Sequence, residues 1–155
     1  MFLENPHWTP DERRKLQQLL RKIVRPRHIY LASSGSSQTL QDSPKLIEIS
    51  DEALQSAGRE MNLFLGARAQ DHWVRPLPAW HIGGYSIEVR ASLSQSSWSD
   101  FFPWNPESFT EEIRQKRAAF SSIVPAQLHD LVQRSLRAPE CLRKILVGGA
   151  RLSED

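Results

Sequence analysis

Cysteine is almost missing from this chain of 155 residues, where Cys141 stands alone. A single thiol excludes an intramolecular disulfide and a cysteine-rich zinc site. Its place beside Leu142, ahead of an apolar run, reads as a small buried hydrophobe. Charge of one sign is scarce as well. Lys and Arg number 20 against 18 Asp and Glu, a net charge of +2 that is too small to argue for nucleic acid. Basic residues do gather at Arg13, Arg14, Lys15, Arg21, Lys22, Arg25 and Arg27, on the polar side of an amphipathic stretch, which reads as a solvated face. No apolar run approaches membrane-spanning length and the first residues do not resemble a leader, so the expected compartment is the cytoplasm, with no membrane partner. His7, His28, His72 and His129 lack metal-ligand spacing, so no metal site is expected from them.

What is present describes a globular domain with a real core: 39% hydrophobic and 25% charged residues. Thr9-Pro10-Asp11-Glu12 is a capping box with proline at the first helical position. Leu16, Leu19, Leu20, Ile23 and Val24 follow as one apolar stripe, and Pro26 stops the helix. Residues 1–27 thus read as an amphipathic N-terminal helix, and 28–155 as an α/β unit. In that unit, strand His28 to Ala32 and the short apolar run Leu46, Ile47, Ile49 precede a helix capped by Ser50. That helix would bury Leu54, Ala57, Met61 and Phe64 and close at Gly66. His72 to Arg75 is a strand; Tyr85, Val89 and Leu93 sit at helical spacing; residues 94 to 106 read as irregular. A polar helix near 106–117, a strand at 119–124, a helix opened by Pro125 with Leu128, Leu131, Val132 and Leu136 on one side, and a strand at 143–147 complete the pattern. Strands separated by helices imply a mainly parallel sheet covered by helices.

One loop carries a chemical signal. Strand His28 to Ala32 runs into Ser33-Ser34-Gly35-Ser36-Ser37, with Pro44-Lys45 downstream. Hydroxyls and exposed backbone N–H groups donate to phosphate oxygens, and a lysine neutralises their charge. Ligands of parallel sheets sit at the carboxyl ends of strands. The loops after Ala32, Arg75 and Val147 are small, polar or Gly-containing, and are expected to face one site. Trp98, Phe101, Phe102 and Trp104 read as core packing under an irregular loop. Glu107, Glu111 and Glu112 read as solvated, and Asp42 is expected to face water.

Taken in order, the Ser/Gly loop with Pro44-Lys45, Leu77-Pro78 with His81-Ile82-Gly83-Gly84, Val124-Pro125-Ala126-Gln127-Leu128 and Gly148-Gly149-Ala150 resemble the adenylate-forming acyl-CoA synthetase superfamily. Within it they are most similar to the 2-succinylbenzoate–CoA ligase branch of menaquinone synthesis. The resemblance implies one subdomain of the N-terminal α/β domain of such enzymes. It implies activation of a carboxylate by ATP and Mg²⁺ as an acyl-adenylate, then transfer to CoA. Ser33, Ser34, Gly35, Ser36, Ser37 and Lys45 would hold phosphates, Lys45 and His81 would act at the reacting groups, and Gly148, Gly149 and Ala150 would let adenine approach the backbone. His81, Gly83, Gly84 and Gln127 would line the acyl pocket.

Departures from the pattern carry their own expectation. The family loop reads (S/T)-S-G-T-T-G-x-P-K-G. Here Gln38 replaces its second glycine, Thr39 to Ser43 lengthen it, and Leu46 stands at its last glycine. The family's later motifs are not in this sequence, and Ser153-Glu154-Asp155 resembles the opening of a helix, as expected of a piece of a larger enzyme or a reduced relative. Two alternatives follow: a non-catalytic adenine-nucleotide-binding module, or an interaction module using the aromatic segment at 98–104.

Overall fold

The computed structural model describes residues 1–32 and 46–150. The Ser/Gly loop, Asp42, Pro44-Lys45 and the acidic end at 153–155 lie outside the described residues. By its internal contacts the chain divides into Met1–Leu54 and Gln55–Asp155, with the boundary inside a helix.

In the first unit β1 (Phe2–Leu3), α1 (Pro10–Ile23), β2 (His28–Ala32) and β3 (Leu46–Ser50) follow one another, and the strands form a sheet in the order β1-β2-β3. The capping box forms as expected: the Glu12 N–H donates to Thr9 Oγ1 at 3.3 Å, and the Glu12 carboxylate accepts from the Thr9 N–H at 2.8 Å. Donation to the carboxylate from the Thr9 N–H and hydroxyl favours its ionised form and lowers the Glu12 pKa. β2 runs parallel to β1 but antiparallel to β3, with Ile29 opposite Ile49 and Ala32 opposite Leu46. Only Leu16 and Leu20 of the α1 stripe are buried; Leu19, Ile23 and Val24 are exposed. A helix against a narrow three-stranded sheet covers a narrow seam, so the flanking apolar positions stay in water.

Helix α2 (Asp51–Leu65) carries the boundary between the units. It buries Leu54, Gly58, Asn62 and Leu65, while Ala57 and Phe64 face out. The buried positions keep the helical period but are rotated from the expected face, because Asn62 turns inward to donate to the Arg90 carbonyl at 2.8 Å.

The second unit continues with β4 (His72–Arg75), α3 (Ile82–Ser94), β5 (Ser97–Asp100), α4 (Pro106–Gln115), β6 (Phe120–Ile123), α5 (Pro125–Gln133) and β7 (Lys144–Val147). Its four strands are all parallel, in the order β5-β4-β6-β7. The fold is therefore α/β, with a parallel sheet flanked by helices. Side chains alternate across it as strand geometry requires. Trp73 and Phe120 pack with Leu65, Ile87 and Ala91 on one face; Val74 and Ile123 pack with Phe109, Ile113 and Ala118 on the other. Both faces are covered, so the central strands are buried throughout.

Two expectations in this unit need correction. Residues 97–100 are not irregular but form edge strand β5, paired in register with β4. Ser97 and Ser99 replace the apolar residues that would mark a strand, because an edge strand meets water. The buried stripe of α3 is Gly84, Ile87 and Ala91, while Tyr85, Val89 and Leu93 lie beside it, only partly covered. Gly84 must be small: a Cβ there would lie 2.2 Å from the Pro78 carbonyl oxygen. The side of α5 also differs, since Val132 is 65% exposed while Leu128 and Leu131 pack inward. As expected, Trp98, Phe101 and Trp104 pack against the core, although on both faces of the sheet, and Phe102 is exposed. Among the described residues no helix is long and apolar enough to cross a membrane.

Candidate functional site

A cavity of about 300 Å³ opens at the carboxyl ends of β6 and β7, where parallel sheets hold ligands. Leu77, His81, Ile82, Gly83, Ser86 and Arg90 contribute from the β4–α3 connection and α3. Ser122, Ile123 and Val124 come from β6 and its end, and Leu146, Val147, Gly148 and Gly149 from β7 and its end. Met61 of α2 completes the lining. The walls are mainly apolar, with a few polar groups converging on them, the usual composition of a small-molecule site.

His81 is the N-cap of α3, where its ring Nδ1 accepts the Gly83 N–H at 3.2 Å. A neutral imidazole that accepts at Nδ1 carries its proton on Nε2, which makes that nitrogen the donor. Gly83 lines the cavity, whereas Gly84 is buried against the loop below and serves packing. Gly149 has a φ of +88°, a conformation that suits glycine, and with Gly148 it brings bare backbone to the rim. Ala150 is exposed and outside the lining.

Gln127 is engaged elsewhere. Its Oε1 accepts the Val124 N–H at 3.1 Å and its Nε2 donates to the Pro76 carbonyl at 3.2 Å. It is buried and fastens the β6–α5 turn to the end of β4 without lining the cavity. Of the three loops expected to converge, those after Arg75 and Val147 do meet here. The loop after Ala32 follows a strand of the other sheet and lies outside the described residues.

Sequence reasoning missed Arg90. Its guanidinium reaches the cavity from α3, donates to Ser122 Oγ at 2.9 Å, and lies 5.2 Å above the Trp73 ring. No carboxylate among the described residues pairs with it, and its buried Nε has no partner there. Desolvation lowers its pKa to about 10, so it remains a cation at neutral pH. The signal was present: a lone basic residue next to the buried stripe of an otherwise weakly charged helix.

The parallel sheet with its flanking helices shares its fold with part of solved CoA synthetases. The o-succinylbenzoate CoA synthetase of Bacillus subtilis in complex with its acyl-adenylate intermediate superposes with a TM-score of 0.69 at 24% identity, over 79% of this chain and 31% of that one. The same enzyme with ATP and magnesium gives 0.68 at 24% identity, over 78% and 25%.

The chain is similar to 2-succinylbenzoate–CoA ligases of Staphylococcus aureus, 36% identical over 89 residues, which is 57% of this chain and 18% of the relative. It therefore spans less than a fifth of the length of these curated relatives. No protein-family model matches the chain.

Proposed function

We propose that the chain is part of an ATP-dependent carboxylate–CoA ligase, and that its cavity takes the acyl part of an aromatic acid bearing a second carboxylate, 2-succinylbenzoate among such acids. One observation carries this reading: a guanidinium held in an apolar cavity with no carboxylate partner among the described residues. A partly buried charge without a counter-ion carries a desolvation cost, and an anionic group of a ligand would offset it. Apolar walls would cover the ring, and the second carboxylate would meet Arg90.

In the reaction, the substrate carboxylate attacks the α-phosphorus of ATP and pyrophosphate leaves. The thiol of CoA then attacks the acyl carbon, losing its proton, and AMP leaves. His81 would donate from Nε2 to the reacting carboxylate, and the bare backbone at Gly148 and Gly149 would let a flat base lie close. Ser33, Ser34, Gly35, Ser36, Ser37 and Lys45 would hold the phosphates through hydroxyl, backbone and ammonium donors. Among the described residues no three or more His, Cys, Asp or Glu gather to hold a metal ion, so Mg²⁺ would arrive on the nucleotide's phosphates. Gln127 would act as a positioning residue by fixing the turn behind the cavity.

Equilibrium binding of 2-succinylbenzoate tests the reading. Binding should weaken at least about tenfold in Arg90→Met, the loss expected for a hydrogen bond to a charged group, and should weaken likewise for the analogue lacking the second carboxylate. Equal affinity in all three cases rejects the assignment. A second reading, a nucleotide-binding module without chemistry, rests on Leu46, which is locked in the β2–β3 ladder opposite Ala32 where the family loop has a glycine. Nucleotide binding without 2-succinylbenzoate-dependent ATP–pyrophosphate exchange would identify it.

A further inference from the structure

The opposite edge of the parallel sheet carries a second feature. Where β6 and β7 begin, the end of α4 and the segment before β7 surround an open depression of about 610 Å³. Arg114, Arg117 and Arg137 line it, with Glu140 as its one acidic residue and Cys141 beside them. Arg114 is paired with Glu111. Arg117 and Arg137 have no ion pair among the described residues, and both are exposed.

Basic residues at a helix C-terminus ordinarily offset its dipole, which accounts for Arg114 and Arg117. It does not account for Arg137, which comes from a different segment. Arg137 also borders an apolar hollow lined by Leu131, Leu136 and Pro139, and it stays exposed. Convergence of unpaired guanidinium groups from two segments costs repulsion unless an anion joins them, and the planar fork of arginine matches phosphate oxygens.

We propose that this depression binds an anion with adjacent phosphates, either pyrophosphate itself or the phosphates of a nucleotide. The site is distinct from the cavity at the carboxyl edge, and the proposal does not depend on the ligase reading.

Residue-resolved phenylglyoxal modification, read by peptide mass spectrometry, tests it. Saturating pyrophosphate should slow labelling of Arg117 and Arg137 by about fivefold, as bidentate engagement requires, and leave the exposed Arg21 of α1 unchanged. Chloride at matched ionic strength should have no such effect. Arg137→Ser should abolish the protection at Arg117, whereas Lys45→Ala should leave it, which separates this site from the proposed phosphate loop. ADP in place of pyrophosphate distinguishes the two sources: protection by ADP assigns a nucleotide, and protection by pyrophosphate alone assigns the inorganic anion. Equal slowing at every arginine, no slowing by either anion, or full protection at Arg117 in Arg137→Ser would overturn the proposal.

Discussion

Two arginines of the second unit solve the same problem in opposite ways. Arg75, at the end of β4, is 4% exposed; it donates to Asp100 and, at 3.1 Å, to Glu88, and stacks 4.2 Å from the Trp98 ring. Arg90 stacks over Trp73 and reaches a single serine hydroxyl, with no carboxylate among the described residues. Both are drawn from water onto an indole face, but only the first is neutralised. Arg75, buried with two carboxylates, is a structural clamp, whereas Arg90, partly buried with a single neutral partner, suits the external anion proposed for it. The contrast distinguishes scaffold from site more sharply than residue type does.

The largest effect should come from breaking the frame that both share. Glu88 and Arg90 project from α3, whose first turn fits only because Gly84 has no side chain. Gly84→Ala drives a methyl group into the Pro78 carbonyl and should cost about 3 kcal/mol or more, read as a fall in the urea midpoint.

Next, Arg75→Met should lose about 2–3 kcal/mol, the scale for hydrogen bonds to charged groups. Its carboxylate partners are themselves partly exposed and can return to water, which limits the loss. Thermal unfolding at neutral pH measures it. Arg90→Met should move stability by less than about 1 kcal/mol in either direction, because removing an unneutralised cation also removes its desolvation cost. A loss as large as that of Arg75→Met would mean that Arg90 too is a clamp.

The smallest effect sharpens the comparison through pH. His72 holds Ser97 Oγ at 2.7 Å and Ser99 Oγ at 2.9 Å through its two ring nitrogens. Desolvation and the nearby Lys116 lower its pKa below the usual 6.5, against a weaker opposite pull from Glu112. The folded state therefore prefers the neutral ring. Its contribution is complete above the unfolded pKa of about 6.5 and declines as pH falls through that value toward the lower folded one. Urea midpoints between pH 7 and 5 should fall more steeply in the native protein than in His72→Gln. The difference between the two slopes isolates the histidine.

Much of the architecture was legible in the residues. Thr9 with Glu12, Pro106 and Pro125 announce helix starts, since capping bonds join residues three apart and need no distant partner. Strands β2, β4 and β6 stood out as short runs carrying buried β-branched and aromatic side chains, and β7 as a short apolar run. Other features were not local. Strand β5 has a polar sequence and exists because β4 offers it a ladder. The buried face of α2 was rotated by Asn62 and that of α3 by the contact at Gly84, both partners remote in sequence.

By itself, the sequence determined the starts of helices α1, α4 and α5 and the likeness to adenylate-forming ligases, because caps, prolines and motif order are written within a few residues of one another. Tertiary structure alone decided that the strands form two sheets and that Gln127 braces a turn. It also decided that Arg90 enters the cavity without a counter-ion. Packing, desolvation and charge pairing depend on side chains brought together from distant parts of the chain, and no short window of sequence contains both partners.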